Sequence, residues 1–377
     1  VAMEMKKVLI FTGKFPSFGE DTDGGSILIY SLIELLKDNC VLDIIFTRTP
    51  RQEFIKIDGV RNVSYETYEK RLDNKFERRL QNETQLFGRL KKVIDDYDAV
   101  IITHCSKAFG IESLTKEEQN KIVLFPMYLS TSYARSGEIP PSEYVEEERK
   151  ALMSAGKVLT PSDSEKLDMI NDFGVNRNKI KVIPRGYSNL IKQNVKDIST
   201  PVELLYIASI KEQKNTVEAI EVLKDLLDNG IEAKLHLAGG YQSEAVLSNC
   251  KRFIEKHGLE NKVVFHGVLS QKDLAMLISQ VHINISVSNW ETYGRGIFEG
   301  MAGGLPTVVY DRLDCIKQYV TDGNGIKFVP SHDAFVLELV ALCKDNDYYK
   351  NQAQKAIASV EYLSEYHERE RLLKELL

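Results

Sequence analysis

The sequence predicts a doubly wound α/β protein of two domains, and three observations carry that expectation. Short β-branched runs, apolar nearly throughout, alternate with longer helical patterns. That alternation stops near residue 189 and restarts near 204. The length of 377 residues exceeds what one hydrophobic core usually serves.

In the first half the strand-like runs are Val8 to Gly13, Val41 to Thr47, Ala99 to His104, Lys121 to Pro126 and Lys157 to Ser162. Strands apolar on both faces belong to parallel sheets covered by helices, and the intervening helical patterns supply the right-handed crossovers such a sheet needs. The second half repeats the layout with Leu204 to Ser209, Lys234 to Gly239, Lys262 to Gly267, His282 to Ser288 and Thr307 to Asp311. Between them Asn189 to Pro201 is polar, weakly periodic and closed by proline, so it reads as a linker. We expect an N-terminal domain over 1–190 and a C-terminal domain over 200–359. Beyond Asp345 the chain reads helical, with Tyr348, Tyr349, Ala353, Ala356, Val360 and Leu363 at near-helical spacing; the end, from about 360 to 377, is expected to pack back on the first domain. Open parallel sheets bind ligands at the carboxyl ends of their strands, so the chemistry is expected in a cleft between two facing domains.

Composition narrows the function classes. With 43% hydrophobic and 28% charged residues, 23 Gly and 10 Pro, the chain is of globular type. Its net charge of −6 gives no global attraction to nucleic acid or anionic lipid, so no nucleic-acid partner is expected. Five scattered cysteines, with no CxxC pair, argue against a disulfide framework or zinc site. The start lacks an apolar leader-like run, no stretch approaches the eighteen or so apolar residues of a membrane span, and a reducing, cytoplasmic location is expected. Lys70 to Lys92 is basic, with Leu72, Phe76, Leu80, Phe87 and Leu90 at roughly helical spacing. It reads as an ordinary domain-surface helix, with peripheral contact to the inner face of a membrane as the alternative.

The most informative segment runs from Ser288 to Pro306. A strand ends, a Gly-containing turn follows, and a helix begins near Arg295, so free backbone N–H groups and a positive dipole end make an anion seat. Glu291 in the turn and Glu299 in the second helical turn are eight apart, far enough to take separate roles. Gly303-Gly304 and Pro306 stop the helix.

Here the sequence resembles the GT-B nucleotide-sugar glycosyltransferases of the retaining, family-four type. Their signature has two glutamates separated by seven residues around a Gly turn, then a helix reading roughly E-A-M-A-x-G-x-P. Glu291, Gly294, Glu299, Met301, Ala302, Gly304 and Pro306 match it in order. The resemblance implies two Rossmann-like domains facing across a cleft. It implies that Glu299 grips the donor ribose, that Glu291 contacts the transferred sugar, and that the amides of Tyr293, Gly294 and Arg295 hold sugar hydroxyls and diphosphate.

Other positions match in order. Asp23-Gly24-Gly25-Ser26 lies between the first strand and the helix-like run Ile27 to Lys37, like the family's N-terminal glycine loop, where backbone can approach a phosphate. His104, at a strand's carboxyl end, matches a family histidine that bonds the transferred sugar or places the acceptor hydroxyl. Thr160 to Ile170 and Val182 to Ser188 resemble a serine-containing strand end with its helix and the hinge-side V-I-P-N-G motif. Arg185 replaces the asparagine there: it adds charge to the donor site, lies on the surface, or pairs with a carboxylate. Lys214 keeps the lysine that neutralises the leaving diphosphate, but Ala208 and Ser209 stand where glycine and the second diphosphate cation are expected. Lys211, Arg185 and Arg295 are candidate substitutes for the cation missing at Ser209. In the turn Val268-Leu269-Ser270, before a helix opened by Ser270 and Asp273, the family's backbone touches the nucleobase.

The expected function is a retaining transfer of a sugar from a UDP- or GDP-linked donor to a hydroxyl of a saccharide, lipid-linked or other acceptor. No cofactor is expected, and no Asp-x-Asp metal motif appears in a suitable loop, so the site is expected to be metal-independent. Double displacement and same-face attack both satisfy retention. Two alternatives are a non-catalytic, nucleotide-sugar-binding scaffold, favoured by the missing Gly-Arg pair, and sugar-nucleotide epimerisation.

Overall fold

A computed structural model describes residues 5–13, 24–47, 56–65 and 72–377. Two compact units divide the chain: Val1–Ile183 with Arg369–Leu377, and Pro184–Glu368.

The first unit opens with β1 (Lys7–Thr12), α1 (Gly24–Leu36), β2 (Val41–Phe46), β3 (Asn62–Tyr65) and α2 (Lys75–Lys91). It continues through β4 (Ala99–Thr103), α3 (Lys116–Asn120), β5 (Ile122–Phe125), α4 (Ser130–Arg135) and α5 (Ser142–Ser154). Then come β6 (Lys157–Thr160), α6 (Asp163–Phe173) and β7 (Ile180–Val182). Its seven strands are all parallel, in the order β3-β2-β1-β4-β5-β6-β7.

The second unit begins with β8 (Val202–Ile207), α7 (Thr216–Asp228), β9 (Ala233–Ala238), α8 (Glu244–His257) and β10 (Val263–Gly267). Next are α9 (Gln271–Gln280), β11 (Ile283–Ser286), α10 (Arg295–Ala302), β12 (Thr307–Tyr310), α11 (Asp314–Lys317) and β13 (Ile326–Val329). The chain closes with α12 (His332–Lys344), α13 (Asn346–Val360) and α14 (Glu365–Leu376). The second sheet is parallel in the order β10-β9-β8-β11-β12-β13. Both sheets reverse strand order beside their first strand, between β1 and β4 and between β8 and β11, and such switch points are where open α/β sheets take ligands.

Alternation along each strand explains why the runs are apolar throughout. Val8 and Ile10 pack with Leu28, Leu32 and Ile33 of α1, while Leu9 and Phe11 face Phe87 and Leu90 of α2 and Leu152 of α5. Likewise Leu204 and Tyr206 lie against α7, and Leu205 joins Phe298 and Met301 of α10. Among the described residues the edge strands β3, β7, β10 and β13 are less fully buried than the strands between them.

The stretch 189–201 carries no helix or strand, yet it is packed on the second unit: Ile191 is buried and Lys196 Nζ donates to Ile278 O at 2.9 Å. Gly24 and Gly25 stand in the first turn of α1, which starts three residues before the expected run; Asp23 and the segment preceding it lie outside the described residues, as do Lys70 and Arg71. The apolar side of α2 is spent on the core through Phe76, Leu86, Phe87 and Leu90, with Leu80 packed against it, so the residues a membrane would take are already covered. Tyr349, Ala353, Ala356, Val360 and Leu363 are buried in the second unit, and Leu372 and Leu376 of α14 in the first. Among the described residues no helix is long and apolar enough to cross a membrane.

Candidate functional site

The second unit's switch point gathers the strongest motif. Loop 208–215 follows β8 and loop 287–294 follows β11, two neighbouring strands. Lys214 Nζ stands 2.5 Å from Glu291 Oε1, with both side chains largely buried, and Ser288 Oγ donates to the same oxygen at 2.7 Å. Tyr206 ties the two loops together: its hydroxyl donates to Lys214 O at 2.6 Å and lies 2.8 Å from Ser288 Oγ. Gln213 Nε2 donates to Trp290 O at 2.9 Å, and Asn289 N donates to Gln213 O at 2.9 Å. Arg312 braces the turn from the end of β12, donating to Val287 O and Ser288 O at 3.0 and 3.1 Å with its guanidinium over the Tyr310 ring.

Lys211 belongs to this group. Burial and then the neighbouring Lys214 charge push its ammonium below the ordinary lysine range, while Glu291 works against that shift. Two cations and a carboxylate therefore share one electrostatic neighbourhood beside Ser209, which is half-buried.

Helix α10 supplies the amides. Gly294 caps it at φ 81° and ψ 44°, a left-handed conformation natural to glycine, and accepts from Ile297 N at 2.9 Å. A Cβ at Gly294 would meet Ile316 Cδ1 at 2.6 Å and Glu291 Cγ at 3.7 Å, so the helix start lies close to the Lys214–Glu291 pair. The N–H groups of the first turn have no carbonyl one turn earlier, and the positive dipole end adds to the two lysines. Gly296 lets the helix approach the sheet, since a Cβ there would stand 2.7 Å from Ile207 O. Tyr293 is buried against Phe298 and Tyr319, so its backbone rather than its ring is placed for a ligand.

Glu299 is buried in the second turn, and burial pushes its carboxyl above the ordinary value, opposed by the Arg295 charge. Arg295 Nε lies 3.4 Å from Glu299 Oε1 and donates to Gly186 O at 3.0 Å. Arg185 pairs with the buried Glu368 at 2.9 Å, the carboxylate-pairing arrangement among those open to it. Of the three candidate substitutes for the missing cation, Lys211 is the one the structure brings beside Lys214.

Val268 is exposed just after β10, and a Cβ at Gly240 would touch its Cγ2 at 2.8 Å. The loop after β9 is bonded to the loop after β8 through Ile210 N and Gly240 O at 2.9 Å. A line of loops thus runs along the carboxyl edge of β10, β9, β8 and β11. Ser270 caps α9 by accepting from Asp273 N at 3.1 Å, and its hydroxyl donates to Asp273 Oδ2, the shorter acid bonding the hydroxyl where a glutamate reaches back to the backbone.

In the first unit His104 ends β4 with φ 77° and ψ 126°, an uncommon conformation for a side-chain-bearing residue. Its Nδ1 accepts from Ser106 N at 3.2 Å and lies 2.9 Å from Ser106 Oγ, which places the ring proton on Nε2. The neighbouring Cys105 is buried, and burial pushes its thiol well up, away from reactive thiolate character. Among the described residues no cluster of three or more His, Cys, Asp or Glu has the arrangement of a metal site.

Sequence reasoning missed Tyr206, Ser288 and Arg312, which position Glu291 and Lys214. A cue existed only for Arg312, one residue beyond the strand-like run Thr307 to Asp311.

Comparison with known proteins follows the same lines. Residues 189–359 match the family described as glycosyl transferases group 1. Mannosylfructose-phosphate synthase of Agrobacterium fabrum is 29% identical over 156 residues, 37% of this chain; the match spans about a third of that protein, 34%. Sucrose-phosphate synthase from Thermosynechococcus elongatus has a similar fold, with a TM-score of 0.79 at 15% identity over 98% of both chains. Anabaena Alr3699/HepE, solved in complex with UDP and glucose, gives 0.71 at 15% identity over 98% of this chain and 99% of its own. Each unit has the doubly wound, Rossmann-like sheet of the GT-B fold. The family match over residues 189–359 agrees with the resemblance that Glu291 to Pro306 carries, and the similar solved structures share the fold: this part of the chain is similar to the group 1 glycosyl transferases.

Proposed function

We propose that this protein is an enzyme that transfers a sugar from a nucleoside-diphosphate sugar to an acceptor hydroxyl, with retention at the anomeric carbon and without a metal ion. The observation that carries the reading is the Lys214–Glu291 pair beside the start of α10, at the β8/β11 switch point. Sugar transfer expels a nucleoside diphosphate, and its developing charge needs fixed donors. Lys214 and Lys211, with the amides of Tyr293, Gly294 and Arg295, supply them here.

Glu299 binds the ribose diol, Val268 and its turn the nucleobase, and Glu291 the transferred sugar. His104, with its proton on Nε2, donates toward the sugar or the acceptor. The glycines at 24 and 25 open α1, where backbone can approach a phosphate. In this reading Arg185 acts indirectly, by anchoring the segment that receives Arg295. The HepE complex with UDP and glucose supports a UDP-linked donor, and a GDP-linked one remains in the panel below. The acceptor class is a saccharide, lipid-linked or other hydroxyl compound.

The test is a panel of UDP- and GDP-sugars, followed by release of nucleoside diphosphate with and without candidate acceptors and with and without EDTA. Turnover insensitive to EDTA, with the product keeping the donor's anomeric configuration by NMR, is expected. Absence of turnover with nucleotide binding intact would favour the scaffold reading; loss of turnover on chelation would overturn metal independence.

A further inference from the structure

The Lys214 loop and the Glu291 turn are joined by a second route, through one carboxylate of α7. Asn215, the residue after Lys214, has φ 50° and ψ 43°, the left-handed conformation, and starts α7 without capping it through its side chain. The side chain donates instead: Asn215 Nδ2 bonds Glu218 Oε2, three residues on in the helix. The other carboxylate oxygen, Glu218 Oε1, accepts from the hydroxyl of Tyr310 at the end of β12. Burial and then the Glu218 bond hold the Tyr310 phenol above its ordinary value, which keeps it a donor.

Arg312 completes the route. Its guanidinium stands 4.0 Å from the centre of the Tyr310 ring and donates to Val287 O and Ser288 O, in the segment that leads into Glu291. The Lys214–Glu291 pair closes the circuit. His332 of α12 also approaches the carboxylate, at 3.7 Å, but is engaged by Asp225 at 2.8 Å.

We propose that Glu218 is the positioning residue that holds the Lys214 loop and the Glu291 turn in register. A carboxylate suits the task because it only accepts, so each oxygen holds one donor, and charge assistance makes such bonds roughly twice as strong as neutral ones. A contact that merely attached α7 to β12 would need Tyr310 alone. The bond to Asn215 carries the restraint to the residue next to Lys214, at a backbone conformation that few side-chain-bearing residues adopt. Its sense in catalysis rests on the proposed glycosyl transfer, so one readout needs no turnover.

That readout is amide hydrogen exchange on the full chain. The amides of Lys214, Asn215 and Asn289 donate to Lys211 O, Glu212 O and Gln213 O. In Glu218→Ala they are expected to exchange about 10-fold faster or more, with β9 and β10 unchanged. Glu218→Gln should restore most of the protection, since its amide oxygen accepts from Asn215 while its amide nitrogen donates to the Tyr310 oxygen. Tyr310→Phe keeps the ring beside Arg312 and serves if Glu218→Ala folds poorly; it should speed Asn289 exchange by about 3-fold or more. In kinetics Glu218→Ala should lower kcat by about 10-fold with donor KM within about 2-fold. In a Lys214→Met background it should lower kcat little further, because both changes act on one group. Wild-type exchange at these amides in folded Glu218→Ala or Tyr310→Phe, faster exchange with kcat unchanged, or the full kcat loss repeated in Lys214→Met would overturn the proposal. Faster exchange with no turnover by the wild type would uphold the restraint and count against the transfer.

Discussion

Lys214 and Glu291, 77 residues apart in the chain, meet at 2.5 Å on a carboxylate oxygen that also receives the Ser288 hydroxyl. In the proposed transfer this contact holds a cation for the departing diphosphate, and it aims the second carboxylate oxygen by fixing the first. Lys214→Met is therefore expected to lower kcat by roughly 10²- to 10³-fold, the range for losing one preorganised donor to a developing anion. Glu291→Ala should likewise act mainly on kcat, whereas Glu299→Ala should raise the donor KM by about 10-fold with little change in kcat. Steady-state kinetics with the donor found in the panel separates the two; equal, negligible effects on both constants would refute the assigned roles.

Gly296 sets how closely α10 approaches β8. A Cβ there would lie 2.7 Å from Ile207 O and 2.8 Å from Ile207 Cβ, and a strand inside a sheet has little freedom to retreat. Gly296→Ala should destabilise the protein by about 1–3 kcal/mol, as overpacking does. Displacing the helix start by about 1 Å should also lower transfer by about 10²-fold. Thermal melting and kinetics on the same preparation check both effects.

Arg185 stands where the family carries asparagine, and its partner is Glu368 at 2.9 Å, which also accepts from Gly186 N at 2.8 Å. Removing the guanidinium leaves that carboxylate buried without its cation. Arg185→Gln is expected to lower stability by about 3–5 kcal/mol. Urea unfolding of the variant against the wild type measures it; a change below 1 kcal/mol would contradict the pairing.

Glu148 and Glu165 are buried in the first unit, and burial raises each carboxyl to about 7 against hydrogen bonds from Ser130 and Thr160. A raised pKa means that the protonated form is favoured by folding. The stabilisation is thus complete below the ordinary value of 4.5 and lost as pH climbs through about 7, amounting to about 3 kcal/mol per carboxyl. Melting temperatures from pH 4.5 to 8 should show Glu148→Gln and Glu165→Gln gaining on the wild type as pH rises; a constant difference across that range would rule out the titration.

Much of the molecule was legible in the sequence because its signals are local. The ten strand-like runs, most of them apolar nearly throughout, sit near β1, β2, β4, β5, β6 and β8 to β12. β3, β7 and β13 escaped notice because each is a run of three or four residues interrupted by polar or partly exposed positions, too short for a continuous apolar signal; β10, also an edge, is longer and was read. The helix start at Arg295, with Gly294 before it, was legible for a similar reason: a left-handed cap leaves its glycine in the sequence. Lys70 to Lys92 shows the limit. Periodicity identified its apolar side, but Glu83, read as one of several acids dispersed along a surface helix, is buried against Lys107.

The sequence by itself determined the two parallel α/β units, the acidic pair eight residues apart and the Gly turn between them, since periodicity and turn chemistry act over a few residues. Tertiary structure decided which cation joins Lys214, that Arg185 is engaged by Glu368, that Tyr206 and Arg312 brace the Glu291 turn, and that Glu83 reaches Lys107. Those relationships arise where parallel crossovers bring the carboxyl ends of distant strands side by side, and charge pairing at such an edge depends on distances in space that residue spacing along the chain does not encode.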